Sequence, residues 1–180
     1  MNLIVKDLID KMNAILIEAE KVRLSAVRKL NILDSPTEPV FDSIAKLASE
    51  VCDMPIALIS ILDENRQWFK ANIGLPEIKE TDRASAFCSY TILSDELLMV
   101  PDTIEDERFI HNILVTKSPK IRFYAGAPIR MPSGQNIGSL CVIDVKPNYL
   151  NHSQRNTLIG LAKLISDLLV TRNEHPNISN

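Results

Sequence analysis

The pattern of apolar residues predicts an α+β domain. One central antiparallel sheet carries N- and C-terminal helices on one face, and loops and short helices roof a pocket on the other. Three observations predict it. Residues 121–144, IRFYAGAPIR-MPSGQ-NIGSLCVID, place two apolar runs around a Pro/Ser/Gly segment, which is the pattern of a β-hairpin. A second hairpin is written between Ile56 and Asn72, turning at Asp63-Glu64-Asn65. Long stretches with helical spacing of apolar residues flank both.

In chain order, residues 3–33 predict one long helix or two joined helices. Val5, Leu8, Met12, Ile15, Ala19, Val22 and Ala26 follow the alternating three-and-four spacing of a coiled-coil seam. For residues 5–19 two readings are open, a dimer seam and a face packed on the same domain. From Leu24 to Leu33 the apolar face widens, so this part packs on the domain, and Asp34-Ser35-Pro36 ends the helix. The expected division is therefore a helical extension over 1–20, a domain over 21–172 and a disordered tail over 173–180.

A second helix runs from Pro39 to Cys52, with Val40, Phe41, Ile44, Leu47, Ala48 and Val51 as its buried side. Ile56–Leu62 is a strand buried on both faces. Its partner Arg66–Asn72 puts Trp68 and Lys70 on one face and Gln67, Phe69 and Ala71 on the other. Residues 73–83 read as loop, 85–93 as a short helix, 97–100 as a short strand and 105–112 as a helical turn. In the central hairpin Ile121, Phe123, Ala125, Ala127 and Ile129 share one face, and Arg122, Tyr124, Gly126, Pro128 and Arg130 the other. Ile137, Ser139, Cys141 and Ile143 alternate against Gly138, Leu140 and Val142. Gly126 and Gly138 remove a Cβ where a backbone, a ring or a ligand must come close. Pro128 cannot donate to a ladder, so its nitrogen faces an edge or a bulge. The last helix runs from Ser153 to Arg172, capped by Asn151 or Ser153, with Leu158, Leu161, Ile165 and Leu168 as a seam that Leu164 and Leu169 broaden.

The chain has 180 residues and a net charge of −3 with no long basic run, which argues against nucleic-acid binding and against attachment to a membrane surface. No apolar run approaches the roughly 20 residues of a membrane span. Three scattered cysteines do not make a disulfide scaffold, and a reducing cytoplasm is the expected location. His111, His152 and His175 lie far apart and pair with no cysteine at metal-ligand spacing. No cofactor is named by the sequence, and no Gly-rich phosphate loop is present.

The run IRFYAGAPI, Gly134, the run IGSLCVID and Pro147 resemble the second half of a GAF domain, the small-molecule sensor module of signalling proteins, bacterial ones among them. Phe87-Cys88, Asp102, Asp106-Glu107-Arg108-Phe109, Asn112 and Val115 fit the same pattern, and the resemblance covers roughly residues 20–172. It implies a ligand held between the sheet and its roof. Bilin-binding relatives usually carry a His directly after the attachment Cys, whereas Ser89 follows Cys88 here. Relatives that reduce free methionine sulfoxide need several cysteines around the pocket loop. Here Cys52 falls on a helix, Cys88 in the pocket region and Cys141 in a central strand, a distribution that does not match.

Cys88 is the first chemical candidate, either as a redox-sensing thiol or chromophore attachment point, or simply as a buried small hydrophobe, which is the preferred reading. Asp102, Asp106, Arg108 and Arg122 form a charged constellation. The first three are read as an internal ion-pair network pinning the roof loop to the hairpin, while Arg122 is the one most open to a ligand. The candidate pocket comprises Trp68, Phe87, Cys88, Tyr90, Phe109, Arg122, Tyr124 and Cys141. The functional expectation is a non-enzymatic cytoplasmic sensor that takes an unidentified small molecule or responds to redox state, and signals through the terminal helices of a homodimer to a partner protein. Its rivals are an enzyme reducing free methionine sulfoxide and a ligand-free dimerisation unit. No output domain follows the last helix, so a stand-alone sensor or a piece of a longer chain is expected.

Overall fold

The computed structural model describes residues 3–174. Six strands form one antiparallel sheet in the order β3-β2-β1-β6-β5-β4. The elements in chain order are α1 (Leu3–Lys29), α2 (Pro39–Cys52), β1 (Ile56–Leu62), β2 (Arg66–Ile73), β3 (Glu80–Asp82), α3 (Cys88–Thr91), β4 (Leu98–Val100), α4 (Ile113–Thr116), β5 (Phe123–Arg130), β6 (Asn136–Asp144) and α5 (His152–Glu174). The expected α+β class and its two-faced sheet are observed. One apolar cluster joins α2, α5 and the end of α1 to the sheet through Val27, Phe41, Ala48, Leu140, Leu158 and Ile165. A second lies on the opposite face under the roof, with Phe69, Phe87, Phe109, Ile121, Tyr124 and Ile143.

α1 stops at Lys29, four residues before its expected end. Asn31 and Asp34 take positive φ (46° and 58°), a conformation their short polar side chains tolerate. Arg172 Nη1 donates to the freed carbonyl of Leu30 at 3.2 Å. Leu24, Val27, Leu30 and Ile32 are buried as expected. By contrast Leu8, Met12 and Ile15 are 54–68% exposed, so the first half of α1 projects an apolar row that nothing among the described residues covers. The expected tail lies at its end, 175–180, outside the described residues.

α2 has its expected bounds, but its buried stripe is Phe41, Ile44, Ala45, Ala48 and Cys52. Val40, Leu47 and Val51 are exposed, because they lie about a quarter turn away from that stripe at 3.6 residues per turn. In α5, Asn151 Oδ1 accepts from Gln154 N (3.0 Å) and Gln154 Oε1 accepts from Asn151 N (2.9 Å), a reciprocal cap.

Two register shifts correct the alternation read from the sequence. Ile59 pairs with Ala71 and Ser60 with Phe69, so Lys70 is the extra residue of a bulge. Trp68 and Lys70 share one face as expected, and that face is the helix side, but Ala71 joins them rather than Gln67 and Phe69. Ile129 pairs with Gly138 and Arg130 with Asn136, which turns Ile137 to the helix side, away from Cys141 and Ile143. Ile121 precedes β5 and drops to the roof side, away from Phe123. Pro128 lies beyond the last pair of β4 with β5, so its nitrogen meets an open edge.

The roof also differs. The expected loop 73–83 contains β3, and the expected helix 85–93 is only the four residues of α3. Residues 105–112 are successive turns, and the helix falls one step later at α4, where Asn112 Oδ1 accepts from Leu114 N at 2.8 Å.

Candidate functional site

Between sheet and roof lies a cavity of about 50 Å³ lined by Phe69, Phe87, Cys88, Ile121, Tyr124 and Cys141 among others. Strand alternation supplies its floor. Tyr124 comes from β5 and Cys141 from β6, with Ser60 of β1 beneath them and Gln67 of β2 at the side. The short helix α3 supplies the ceiling. Cys88 Sγ lies 3.9 Å from Cys141 Sγ, 3.7 Å from Ser60 Oγ and 3.4 Å from Tyr124 OH. Tyr124 OH is in turn 2.6 Å from Thr91 Oγ1. Gly126 is bare because a Cβ there would overlap the Tyr124 hydroxyl, the ring approach that its position implied.

The electrostatics separate the three cysteines. Burial works against a Cys88 thiolate, but hydrogen bonding with Cys141, Tyr124 and Ser60, together with the nearby Ser139 hydroxyl, outweighs it and brings that thiol down to about 7. Cys141 moves the other way, held up by its bond to Cys88 and by burial. Cys52, at the end of α2, is pushed up to about 11 by burial alone. Gln67 adds an uncommon feature: it is buried, its Nε2 donates to Ser60 Oγ at 3.2 Å, and its Oε1 meets no donor. Among the described residues, no group of three or more His, Cys, Asp or Glu converges as metal ligands would.

Of the expected pocket residues, Phe87, Cys88, Tyr124 and Cys141 line the cavity. Phe109 is one layer behind, stacked on Phe87 at 4.3 Å between ring centres, and Tyr90 meets Phe109 edge-on from outside while 39% exposed. Trp68 belongs to the helix-side core on the other face of the sheet. Arg122 is also a correction. It donates to the carbonyls of Val115, Lys120 and Ile121, because it sits before β5 begins and strand alternation does not govern it. The missed residues, Ser60 and Gln67, were partly visible, since alternation already set Gln67 and Phe69 opposite Trp68.

The expected charge network is local instead. Asp106 takes both forks of Arg108 (2.9 and 2.6 Å), which holds its carboxyl below the usual range. Asp102 accepts from Ile104 N, two residues on. The pin from roof loop to hairpin is Thr103, buried and uncharged. Its N donates to Arg122 O and its Oγ1 to Ile121 O, each at 2.7 Å.

Two ion-pair junctions join this site to the terminal helices. Glu20 of α1 holds Arg23 through two bonds of 2.7 Å, and Arg83, at the entrance to the roof, through a third of 2.6 Å. Burial raises the Glu20 carboxyl, but the two guanidinium groups outweigh it and hold it at about 2. On the helix side, Lys70 Nζ donates to Glu38 (2.7 Å), which also receives Arg172 of α5 (3.0 Å).

Tyr124→Phe tests the hydroxyl. It removes the bond to Thr91 and leaves Thr91 Oγ1 buried, so unfolding in urea is expected to show a loss of about 1 kcal/mol with an unchanged denaturant slope.

The comparisons with known proteins agree with this architecture. A cyclic di-GMP phosphodiesterase of Pseudomonas aeruginosa is 47% identical over 130 residues, which are 72% of this chain but 22% of that protein. The chain thus spans about a fifth of that relative's length. The GAF domain of an Acinetobacter phosphoenolpyruvate-protein phosphotransferase superposes with a TM-score of 0.65 at 17% identity, covering 91% of this chain and 98% of that one. A type II free methionine-R-sulfoxide reductase of Thermoplasma acidophilum superposes at 0.61 and 15% identity, covering 74% and 92%, a likeness of fold alone. The profile of the GAF domain matches residues 36–169, from the linker before α2 to near the end of α5, and with the six-stranded sheet and its roofed face this establishes that the chain belongs to the GAF domain family.

Proposed function

We propose that this GAF domain is a non-enzymatic cytoplasmic sensor whose input is received in the cavity under the roof and whose output leaves through α1 and α5 of a homodimer toward a signalling partner. The observation that carries this reading is the junction at Glu20, a carboxylate of the first helix that holds the roof through Arg83 and is braced by Arg23 of the same helix. A ligand that favours one roof position over another therefore acts on α1 as well. The orphaned Gln67 Oε1 beside the cavity suits an occupant with a hydrogen to donate. The exposed apolar row of Leu8, Met12 and Ile15 suits a second copy of α1. The relative from Pseudomonas supports a place in signalling; the phosphodiesterase activity in its name is that protein's, most of whose length this chain does not cover.

A second reading is favoured by the size of the cavity. About 50 Å³ is far below the roughly 300 Å³ at which small-molecule sites begin, as expected of a dimerisation unit whose pocket is filled by its own Phe87 and Tyr124. Native mass spectrometry of the protein as purified, followed by denaturing mass on the same sample, separates the two. The sensor reading expects a dimer with excess mass, or one stabilised against heat by a small ligand. A bare dimer that no ligand stabilises supports the dimerisation unit, and a monomer with no ligand overturns both.

A further inference from the structure

The cavity holds two thiols facing each other, and it has room for a few atoms only. We propose that Cys88 and Cys141 are a reversible dithiol–disulfide site whose substrate is a small hydroperoxide admitted beneath the roof. This rests on the sensor reading and names its input.

The geometry carries it. The two sulfurs are 3.9 Å apart, against about 2 Å in a disulfide, and both line the same cavity. Cys88 stands on a four-residue helix of the roof, outside the sheet ladder, whereas Cys141 is fixed in a central strand paired on both sides. Two hydroxyls, Ser60 and Tyr124, flank Cys88. Gln67 Oε1, without a donor, suits the O–H of a hydroperoxide, and Gln67 Nε2 is already joined to Ser60. A cavity of about 50 Å³ matches a molecule of two or three heavy atoms better than a nucleotide or a free amino acid. The low position of the Cys88 thiol beside a raised Cys141 gives the pair an attacking and a resolving member.

The steps balance. The Cys88 thiolate sulfur attacks one peroxide oxygen and the O–O bond breaks. The departing oxygen leaves as hydroxide or alkoxide and is protonated to water or an alcohol, and Cys88 becomes a sulfenic acid. Cys141 sulfur then attacks Cys88 sulfur, the S–O bond breaks, and the hydroxyl leaves as water with the Cys141 proton. Two thiols lose two electrons and two protons, and the peroxide is reduced. A dithiol reverses the bond by exchange. Closing the gap draws α3 and Phe87 toward β6, and with them the roof segment that begins at Arg83, whose guanidinium is held by Glu20 of α1.

The test treats the reduced full chain with hydrogen peroxide, then alkylates under denaturing conditions and maps the peptides. The expected result is a mass lower by two hydrogen atoms, a Cys88–Cys141 linked peptide, reversal by dithiothreitol, and thiol loss at Cys88 roughly tenfold or more faster than at Cys52. Cys52→Ser should leave the link intact and Cys141→Ser should abolish it. Cys88 and Cys141 both still free for alkylation on denaturation, after peroxide treatment of the folded wild type, overturns the proposal, as does oxidation no faster than at Cys52; neither readout depends on a variant folding. Hydrogen exchange distinguishes this from failure of the sensor reading. A link that forms without changing exchange in α1 keeps the thiol site and sinks the sensor, while no link after peroxide, together with excess mass on the native dimer that is lost on denaturation, keeps the sensor and sinks the thiol site.

Discussion

Replacing Gly138 with Ala should destabilise the domain by about 3 kcal/mol or more, a large share of the 5–15 kcal/mol expected for a domain of this kind. Gly138 sits in β6, between β1 and β5, paired with Ile61 on one side and Ile129 on the other. A Cβ there would overlap the carbonyl oxygen of Ser60 and come within 2.9 Å of its carbonyl carbon and 3.0 Å of the Ile61 Cα. All of these are backbone atoms of a central strand, so no side chain can swing away. Relief requires β1 and β6 to separate, which loosens their ladder and moves Ser60 off Cys88. Thermal unfolding should show a fall in Tm of roughly 10 °C, and an unaffected Tm would mean that β6 approaches β1 less closely than described. Gly160 is the control. It lies in the middle of α5 with nothing near its missing Cβ, so Gly160→Ala should stabilise by about 0.5–1 kcal/mol.

The contrast between these two glycines marks what the sequence discloses. Gly138 announces a close approach because it interrupts a run of strand residues, and the approach is indeed made, by a backbone. The continuous apolar runs of β1 and β6 were legible for the same reason: central strands are buried on both faces, and only apolar residues tolerate that. Bulges are not legible in this way. The extra residue at Lys70 exists only relative to the register of β1, and no local pattern records it. Once the register is known, Ala71 and Ile137 change faces without any change in composition.

The candidate site divides along the same line. Phe87, Cys88, Tyr124 and Cys141 were found because strand alternation and the roof assignment each place a side chain correctly by itself. The thiol pair was not found, because Cys88 and Cys141 are 53 residues apart and their distance depends on how a four-residue helix settles over the sheet. Charge misled most. Asp102, Asp106 and Arg108 cluster in sequence, which made them look like a clasp, whereas side chains so close satisfy each other locally. The clasps that join distant elements come from single buried charges, Arg23 reaching the carbonyl of Leu62 and Lys70 reaching Glu38, inside stretches already explained as helix and strand.

Removing the Glu20 carboxylate should cost about 2 kcal/mol in Glu20→Ala. Arg23 is the reason. Its side chain is 8% exposed, and without Glu20 its guanidinium keeps only the carbonyl of Leu62, at 2.7 Å. A buried cation stripped of its partner costs several kcal/mol, and the figure is reduced here because Glu20 itself is about one-third exposed and partly screened. Acid titration gives the sign. The folded carboxyl titrates at about 2 against an ordinary 4.5, so its stabilisation is complete above the higher value and disappears as pH falls toward the lower. Wild type and Glu20→Ala should differ fully in urea midpoint at neutral pH and converge as pH drops from about 4.5 to about 2; a constant gap across that range would assign the loss to helix packing instead. Arg83 supplies the functional half. Freed from Glu20 it retains the carbonyls of Asp63 and Glu64, so the roof stays anchored to the β1–β2 turn while α1 is released. Hydrogen exchange in Glu20→Ala should rise in the second half of α1 and stay low in α5, whose tie runs through Glu38 and Lys70. Treatment that changes the roof should then no longer change α1. If α1 still responds in Glu20→Ala, the signal reaches it through the apolar contacts of Leu24 and Val27, and the carboxylate is a structural bolt alone.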